Sequence, residues 1–543
     1  MGLTIDEVLE EIGSMGRYQI RLVFIFCYFG FFVVGFQTML MTFITGEPGW
    51  QCVENSTVCN VTGVHRPGGD HYKLRCDLPR SDWEFAKEFT STVTQWDLVC
   101  EDSIFQGVSS SVIFAGWLLG AIFIGWLSDR TGRRYVVYFG SLGLLAAAVV
   151  SALSPFFWLF VLSRAIVGVM IGGSSLCQFI LMTEFVGVRH RNVAATLVWF
   201  AWTCAFMATP LFAYFIRDWR ILTIAVTVTG VPFSFFWWFI PESMRWLLVK
   251  GRVTEAEAIL RDVAAFNRKK MPDEGLLEPL NKGKVADFRD LFRNRKMVQR
   301  TLILWFAWLV NAMVYYGVSL SSPSLGGSMY LNFFLTSIVE IPANFAAIYS
   351  MKRFGRKKSV VIPMILASLA AMGAVLLVTD DGNTGEDIDR KGFGGCKLQK
   401  PIGKYQINRN NRKSLQPKHG YLAGRITMAM LAKFFIMISF DGVYVYAAEL
   451  FPTVIRNIGM GTSSAAGRIG SFSSAYVAWL TRVHPLLPYG VMGIGALLSG
   501  LLCLLLPETK DKPTSEVCES ESQEDKTSHD DYHHDYNGET TIL

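Results

Sequence analysis

Apolar residues in this chain gather into runs of roughly 20 or more, parted by short charged stretches. A helix rises about 1.5 Å per residue, so such a run matches the hydrocarbon thickness of a bilayer. A soluble chain of 543 residues would instead divide into several domains with mixed surfaces. The pattern predicts an all-α membrane protein with twelve transmembrane helices. They are placed near 19–43, 104–127, 134–154, 156–181, 193–217, 220–240, 299–319, 329–350, 357–378, 422–448, 457–481 and 485–506. Residues 1–18 carry Asp6, Glu7, Glu10 and Glu11, and the first apolar run is too long for the core of a cleavable signal peptide. The net charge of +6 does not call for an anionic partner, because most of the excess falls in loops between spans.

Two signals orient the chain. The loop 44–103 holds the glycosylation acceptor patterns at Asn55 and Asn60, together with Cys52, Cys59, Cys76 and Cys100. Four cysteines in an oxidising compartment suit two disulfides, with three pairings open. This loop is therefore expected outside, with both termini cytoplasmic. Basic residues agree: Arg130, Arg133 and Arg134, then Arg189 and Arg191, then Lys352, Arg353, Arg356, Lys357 and Lys358 all fall on the cytoplasmic side. The loop 242–298 is cytoplasmic too, with one or two short surface helices over Val253 to Ala265. The tail 508–543 is polar and expected to be disordered.

The chain repeats itself. Gly125-Trp-Leu-Ser-Asp129-Arg-Thr-Gly132-Arg-Arg134 is echoed by Ser350-Met-Lys-Arg-Phe-Gly355-Arg-Lys-Lys358. Glu184 and Arg191 are echoed by Glu449 and Arg456, and Pro241-Glu242-Ser243 by Pro507-Glu508-Thr509. Gly132 stands 223 positions before Gly355, Glu184 265 before Glu449, and Glu242 266 before Glu508. The second half therefore gains about 42 residues between positions 355 and 449, and the surplus is the polar stretch 379–420. Without it, 19–43 plus 104–241 and 299–507 are two six-helix halves of equal plan. Parallel repeats of this kind define the major facilitator architecture, with a substrate site where the halves meet. The insertion carries nine Lys/Arg on the outer face. It reads either as an extracellular loop particular to a lineage or as a translated artefact, irregular and dispensable for transport.

Pro241-Glu-Ser-Met-Arg-Trp-Leu247, Ala448-Glu-Leu-Phe-Pro-Thr453 and Pro507-Glu-Thr509, with the long cysteine-bearing first loop, resemble the organic cation, anion and carnitine transporter family. The resemblance covers about 1–510 apart from 379–420. Pro210 to Arg220, Val443-Tyr-Val-Tyr446 and Ser463 to Ser471 are similar to its carnitine/organic cation branch. It implies a plasma-membrane solute carrier working by alternating access on small charged or zwitterionic organic molecules. Cation carriers of that family typically have Asp where Arg468 stands, and carnitine and anion carriers have Arg. The carnitine branch usually has a small residue at the position of Asp441, so this chain departs from it there. An organic anion exchanger is the alternative; a sugar porter would usually lack the first loop. No nucleophile–base pair, metal-ligand spacing or phosphate loop points to an enzyme. No cofactor is expected, and Na+ stands as a candidate coupling ion.

Ionisable groups inside spans are candidates for function. Arg468, among small residues, either forks onto a substrate carboxylate or pairs with an acid on a neighbouring helix. Asp441, with Tyr444 one turn on, suits a quaternary ammonium, or else neutralises Arg468 or Lys433. Glu340, two residues before Pro342, contacts substrate or gates the cavity, or forms a buried ion pair. Trp308, Asn311 and Tyr315 share one helix face, and the resemblance turns Trp308 and Tyr315 toward the cavity. Gln178 is a weaker polar candidate. Asp129, Arg133, Arg134, Arg191, Arg353, Arg356 and Arg456, with Glu184, Glu242, Glu449 and Glu508, are expected to form networks that join the halves in one state and free them in the other; the alternative is a purely topogenic role. The last residues, Thr541-Ile542-Leu543, suit a PDZ groove. His529, His533 and His534 read as part of a solvated tail rather than a metal site.

Overall fold

The computed structural model describes residues 3–54, 56–67, 71–272, 288–379, 419–452, 455–482 and 487–510. Twelve helical segments stand where the spans are predicted. They are α1 (Arg17–Ile44), α2 (Ile104–Thr131), α3 (Arg133–Leu153), α4 (Phe157–Glu184), α5 (Arg191–Phe215) and α6 (Trp219–Ser234), then α7 (Arg295–Ser321), α8 (Met329–Phe354), α9 (Arg356–Thr379), α10 (His419–Leu450), α11 (Arg456–Trp479) and α12 (Leu487–Cys503). Nine are long and apolar enough to cross a membrane among the described residues. α6 is shorter than predicted, faltering at Thr229–Gly230 and giving way to a turn at Trp237–Phe239, and α12 ends at Cys503. α11 is rich in Gly and Ser and carries Arg468, which lowers its hydropathy.

α1 and α8 are also irregular within their length. α1 contains a π turn at Phe26–Phe31. α8 breaks between Ile338 and Glu340, where Pro342 has no N–H to offer the Ile338 carbonyl. Within the first half, α2 and α4 approach to backbone contact. A Cβ on Gly116 or Gly120 would come within 2.2 or 2.0 Å of the α4 carbonyls of Ala165 or Val169. Small residues let two backbones meet in this way inside a membrane.

The repeat is visible as a duplicated set of contacts. Glu242 accepts the backbone N–H of Arg133 at 2.8 Å and of Arg134 at 3.2 Å, capping the start of α3. Glu508 accepts the N–H of Arg356 at 2.9 Å and of Lys357 at 3.2 Å, capping the start of α9. A helix N-terminus holds unpaired N–H groups and favours a negative charge, which is why a distant carboxylate serves there. Gly132 and Gly355 precede these helices at φ +100 and +91, and a Cβ on either would strike the capping carboxylate. Arg133 then pairs with Glu184, as Arg356 does with Glu449 at 2.9 Å. Ser243 Oγ donates to Glu184 at 2.5 Å, and Thr509 Oγ1 to Glu449 at 2.6 Å.

Between α1 and α2 lies a small lobe. Strands Trp50–Cys52 (β1) and Trp83–Phe85 (β2) pair antiparallel, with Trp50 opposite Phe85. Of the three pairings open in the sequence, the structure has Cys52–Cys59 and Cys76–Cys100. Arg75 and Glu47 form an ion pair buried at the base of the lobe. Thr90 donates to the Arg217 carbonyl and to Asp218, which fixes the lobe to the α5–α6 turn. Asn60 is exposed, as a glycan acceptor must be. Asn55, nearly all of the insertion 379–420, and the tail from 511 with its histidines and Thr541-Ile542-Leu543 lie outside the described residues.

At the opposite, basic end, the loop 242–298 contains helices Met244–Val249 and Val253–Asn267. A further helix, Ile5–Gly13, packs with them against the first half.

Two outcomes are expected. Non-reducing digestion of the purified protein should release peptides linking Cys52 to Cys59 and Cys76 to Cys100; recovery of crossed pairs would contradict the lobe. Burial alone would raise the Glu508 pKa, but the N–H groups of Lys510, Arg356, Lys357 and Thr509 outweigh it and hold the carboxyl below its usual range. A depressed carboxylate stabilises above its unfolded pKa, and that stability disappears as pH falls through the folded value. Glu508→Gln should therefore lower the stability by about 1–2 kcal/mol near neutral pH, with the difference closing in acid, in thermal unfolding.

Candidate functional site

The halves meet along two helix pairs, α2 with α11 and α5 with α8. From the first half, α2 brings Trp117 and α5 brings Trp199, Trp202 and Thr203 to this seam. From the second, α7 brings Trp308, Tyr315 and Tyr316, α8 Glu340, α10 Lys433, Phe440, Asp441 and Tyr444, and α11 Arg468.

These residues divide into a sealed ion-pair network and a second group in which Trp117, Trp308 and Tyr316 are buried while Trp199, Phe440, Asp441, Tyr444 and Arg468 are only partly so. Glu340 and Lys433 are sealed, at 0% and 1% exposure, with Nζ 3.1 Å from Oε1. Lys433 also donates to the Tyr315 carbonyl at 3.0 Å and to Ser319 Oγ at 2.7 Å. The Tyr315 hydroxyl donates to Glu340 at 2.9 Å, and the Thr203 hydroxyl to its other oxygen at 3.0 Å. Trp202 Nε1 donates to the Tyr315 hydroxyl at 3.3 Å. Thr203 and Trp202 belong to the first half, so this network ties the halves together at mid-depth. A buried charge is tolerated only when paired and fully hydrogen-bonded, and both carboxylate oxygens here have partners.

The second group is aromatic and charged. Trp308 and Tyr444 meet at 4.1 Å between ring centroids, with Phe440 beside both. Trp199 faces Tyr444 across the seam at 6.1 Å. The Arg468 guanidinium lies over the Trp117 ring at 3.9 Å, also across the seam, and next to Tyr316. Asp441, Tyr444 and Arg468 are all half-buried. Among the described residues no ion pair joins Asp441 to Arg468 or to Lys433; Glu340 is the acid that neutralises Lys433.

Not every residue singled out from sequence comes here. Gln178 is buried inside the first half, where its amide donates to Ser141 Oγ at 3.1 Å and packs on Gly30 of the π turn. It lines a small pocket with Phe29, Val33 and Leu144, apart from the seam. Asn311 is buried and turns its amide back to the Ala307 carbonyl.

The basic-end residues also differ from expectation. The networks were expected to join the halves, but the ion pairs of Arg133 with Glu184 and of Arg356 with Glu449 each close inside one half. Arg191 pairs with Asp6 of the N-terminal helix at 2.5 Å, and Arg245 with the same oxygen at 2.5 Å. Burial raises the Asp6 pKa, yet Arg245 and Arg191 outweigh that and hold it below the usual range. Arg134 stacks on Trp237 and donates to its carbonyl. Asp129 and Arg353 are exposed, and each accepts through its backbone carbonyl, from Trp246 and Lys510. Arg456 opens α11.

Sequence reasoning overlooked several residues. Trp117, Trp199 and Trp202 read as ordinary apolar filling in their runs. Arg164 did carry a signal, as an arginine seven residues into an apolar span. It is fully buried and donates to the side chain and carbonyl of Gln37 at 2.8 and 2.7 Å, while Gln37 reaches Thr227 at 3.0 Å. This cluster pins α1, α4 and α6.

A profile of the sugar (and other) transporter family matches residues 71–520. An organic cation transporter protein of Drosophila melanogaster is 31% identical, over 95% of this chain and 94% of its own length. Organic cation/carnitine transporter 2 of Rattus norvegicus is 33% identical, over 94% and 92%. The chain belongs to the organic cation, anion and carnitine transporter family of the major facilitator superfamily. It is a multi-pass membrane transporter. A crystal structure of a D-xylose-proton symporter superposes with a TM-score of 0.59 over 91% of this chain and 99% of that one, at 16% identity. That likeness establishes the shared major facilitator fold.

Removing the Tyr315 hydroxyl strips a hydrogen bond from Glu340 and leaves the Trp202 N–H unpaired. Tyr315→Phe should lower stability by about 1–3 kcal/mol, read as a shift in the unfolding midpoint of the detergent-solubilised protein.

Proposed function

We propose that this carrier moves a small zwitterion of the carnitine kind, or a related organic cation, across the plasma membrane by alternating access. One observation carries the reading: Lys433 occupies Glu340, so Asp441 and Arg468 are left as two oppositely charged, half-buried groups at the seam. A quaternary ammonium is attracted by a carboxylate and by aromatic faces, and Asp441 stands three residues from Tyr444 in the Trp308–Phe440–Tyr444 cluster. A carboxylate suits the planar fork of Arg468, which stacking on Trp117 pre-orients. The names of the relatives, organic cation and organic cation/carnitine transporters, support the same class. A sugar would use neither charge.

The remaining residues have roles in movement. The Glu340 network is proposed to lock the halves at mid-depth. Arg133, Glu184 and Glu242 with Arg356, Glu449 and Glu508 keep each half rigid as it rocks. Asp6 and Arg191 clasp the N-terminal helix to the first half. Both termini are placed in the cytoplasm, with the disulfide-bonded lobe outside. The anion-exchanger reading is weakened by Asp441, which would repel an anionic substrate.

The test is uptake of radiolabelled carnitine, a tetraalkylammonium and a dicarboxylate into oocytes, with surface expression measured in parallel. Carnitine uptake should be saturable. Arg468→Ala should reduce carnitine uptake at least about tenfold while sparing the tetraalkylammonium, since a charge-assisted hydrogen bond contributes roughly 1.5–3 kcal/mol. Asp441→Asn should reduce both. Unchanged carnitine uptake in Arg468→Ala would overturn the assignment of the carboxylate, and preferential dicarboxylate uptake would overturn the zwitterion.

A further inference from the structure

The surroundings of the Lys433 ammonium are those of a bound cation. Its Nζ faces three oxygens of different kinds: the Glu340 carboxylate at 3.1 Å, the Tyr315 carbonyl at 3.0 Å and the Ser319 hydroxyl at 2.7 Å. The Tyr315 ring closes a fourth side, with its centroid 3.2 Å from Nζ. Carboxylate, carbonyl and hydroxyl oxygens are the ligands that hard metal cations take, and an aromatic face attracts a cation of any kind. The site is buried and lies at the break in α8, where Glu340 begins the second segment. It is also the point at which Thr203 of the other half reaches the same carboxylate. An unpaired carboxylate at this depth would demand a cation from solution.

We propose that Lys433 is a tethered cation filling an oxygen-lined site on Glu340 that would otherwise bind an alkali-metal ion, so that this carrier locks its halves without sodium. The side chain delivers the positive charge permanently, and the lock depends on no ion gradient. Taking the ammonium away leaves Glu340, the Tyr315 carbonyl and Ser319 as a vacant monovalent-cation site. The claim extends the carrier reading above, and its uptake arm rests on that reading; its binding arm does not.

The binding arm uses purified full-length protein in sodium, potassium or N-methylglucamine chloride at equal ionic strength. Thermal unfolding of the wild type should be the same in all three. Lys433→Ala should gain about 3 °C or more in sodium or potassium over N-methylglucamine, because a ligand that binds only the folded state raises its midpoint. Lys433→Met keeps the aliphatic stem without the charge and guards against simple loss of packing; it should show the same dependence. Lys433→Ala combined with Glu340→Gln should lose it. In the uptake arm, wild-type transport should survive replacement of sodium by N-methylglucamine. Salt-insensitive midpoints in both single variants, or an alkali-specific gain in the wild type, would overturn the tethered cation. A tenfold fall in wild-type uptake without sodium would overturn its consequence for coupling. Absence of uptake under every condition would count against the carrier reading and leave the binding result standing.

Discussion

A charge in a bilayer must find its partner within the protein, and the Glu340–Lys433 pair is where this constraint governs the structure. Neither group reaches water, so each must be fully satisfied by neighbours. The neighbours that do so come from α5, α7, α8 and α10, and therefore from both halves. A device that neutralises one carboxylate thus also defines how the halves sit against each other. Replacing the pair with apolar residues would preserve packing but remove this register, the best-attested use of a buried ion pair.

The same constraint explains the basic end. Twelve helices leave many unpaired backbone N–H groups at their starts. At α3 and α9 these are met by Glu242 and Glu508, which return from about a hundred residues or more away. The carboxylates in turn require glycine at 132 and 355, because a side chain there would occupy their place. Duplicated motifs that look like separate signatures in the sequence are therefore parts of one contact set, made once in each half. Each half is thereby braced internally by its own set of contacts.

At the seam, the fold neutralises some of its buried charges and leaves others without an ion-pair partner among the described residues. Five ionisable groups look equivalent on hydropathy alone: Arg164, Glu340, Lys433, Asp441 and Arg468. Gln37 holds Arg164 inside the first half, and Glu340 consumes Lys433. Asp441 and Arg468 remain half-buried, one of each sign, with Arg468 lying over the Trp117 ring. The proposed zwitterion site is what remains after the fold has satisfied its own charges.

Much of this was legible in the chain. Apolar run lengths determined the spans, because a bilayer admits few alternatives. Motif echoes pointed to two halves, which the duplicated Arg–Glu contacts repeat; the offset places a surplus at 379–420, nearly all of which lies outside the described residues. The helix ends were less legible, as at α6, where Gly230 and Pro232 end regular structure early. The motif Arg–Glu pairing was readable in kind but not in reach: it closes within halves rather than between them. Three matters were decided only by tertiary structure. One is the disulfide pairing, since spacing permits three and only the β1–β2 lobe selects among them. Another is Gln178, which the π turn of α1 receives away from the seam. The last is which acid meets which base. Asp441 and Glu340 are both acids inside spans, and nothing local distinguishes them. The break in α8 and the crossing of α7 by α10 put Glu340, not Asp441, within 3.1 Å of Lys433. Periodicity records which residues are apolar, whereas a charge is assigned its partner by the three-dimensional packing of helices far apart in sequence.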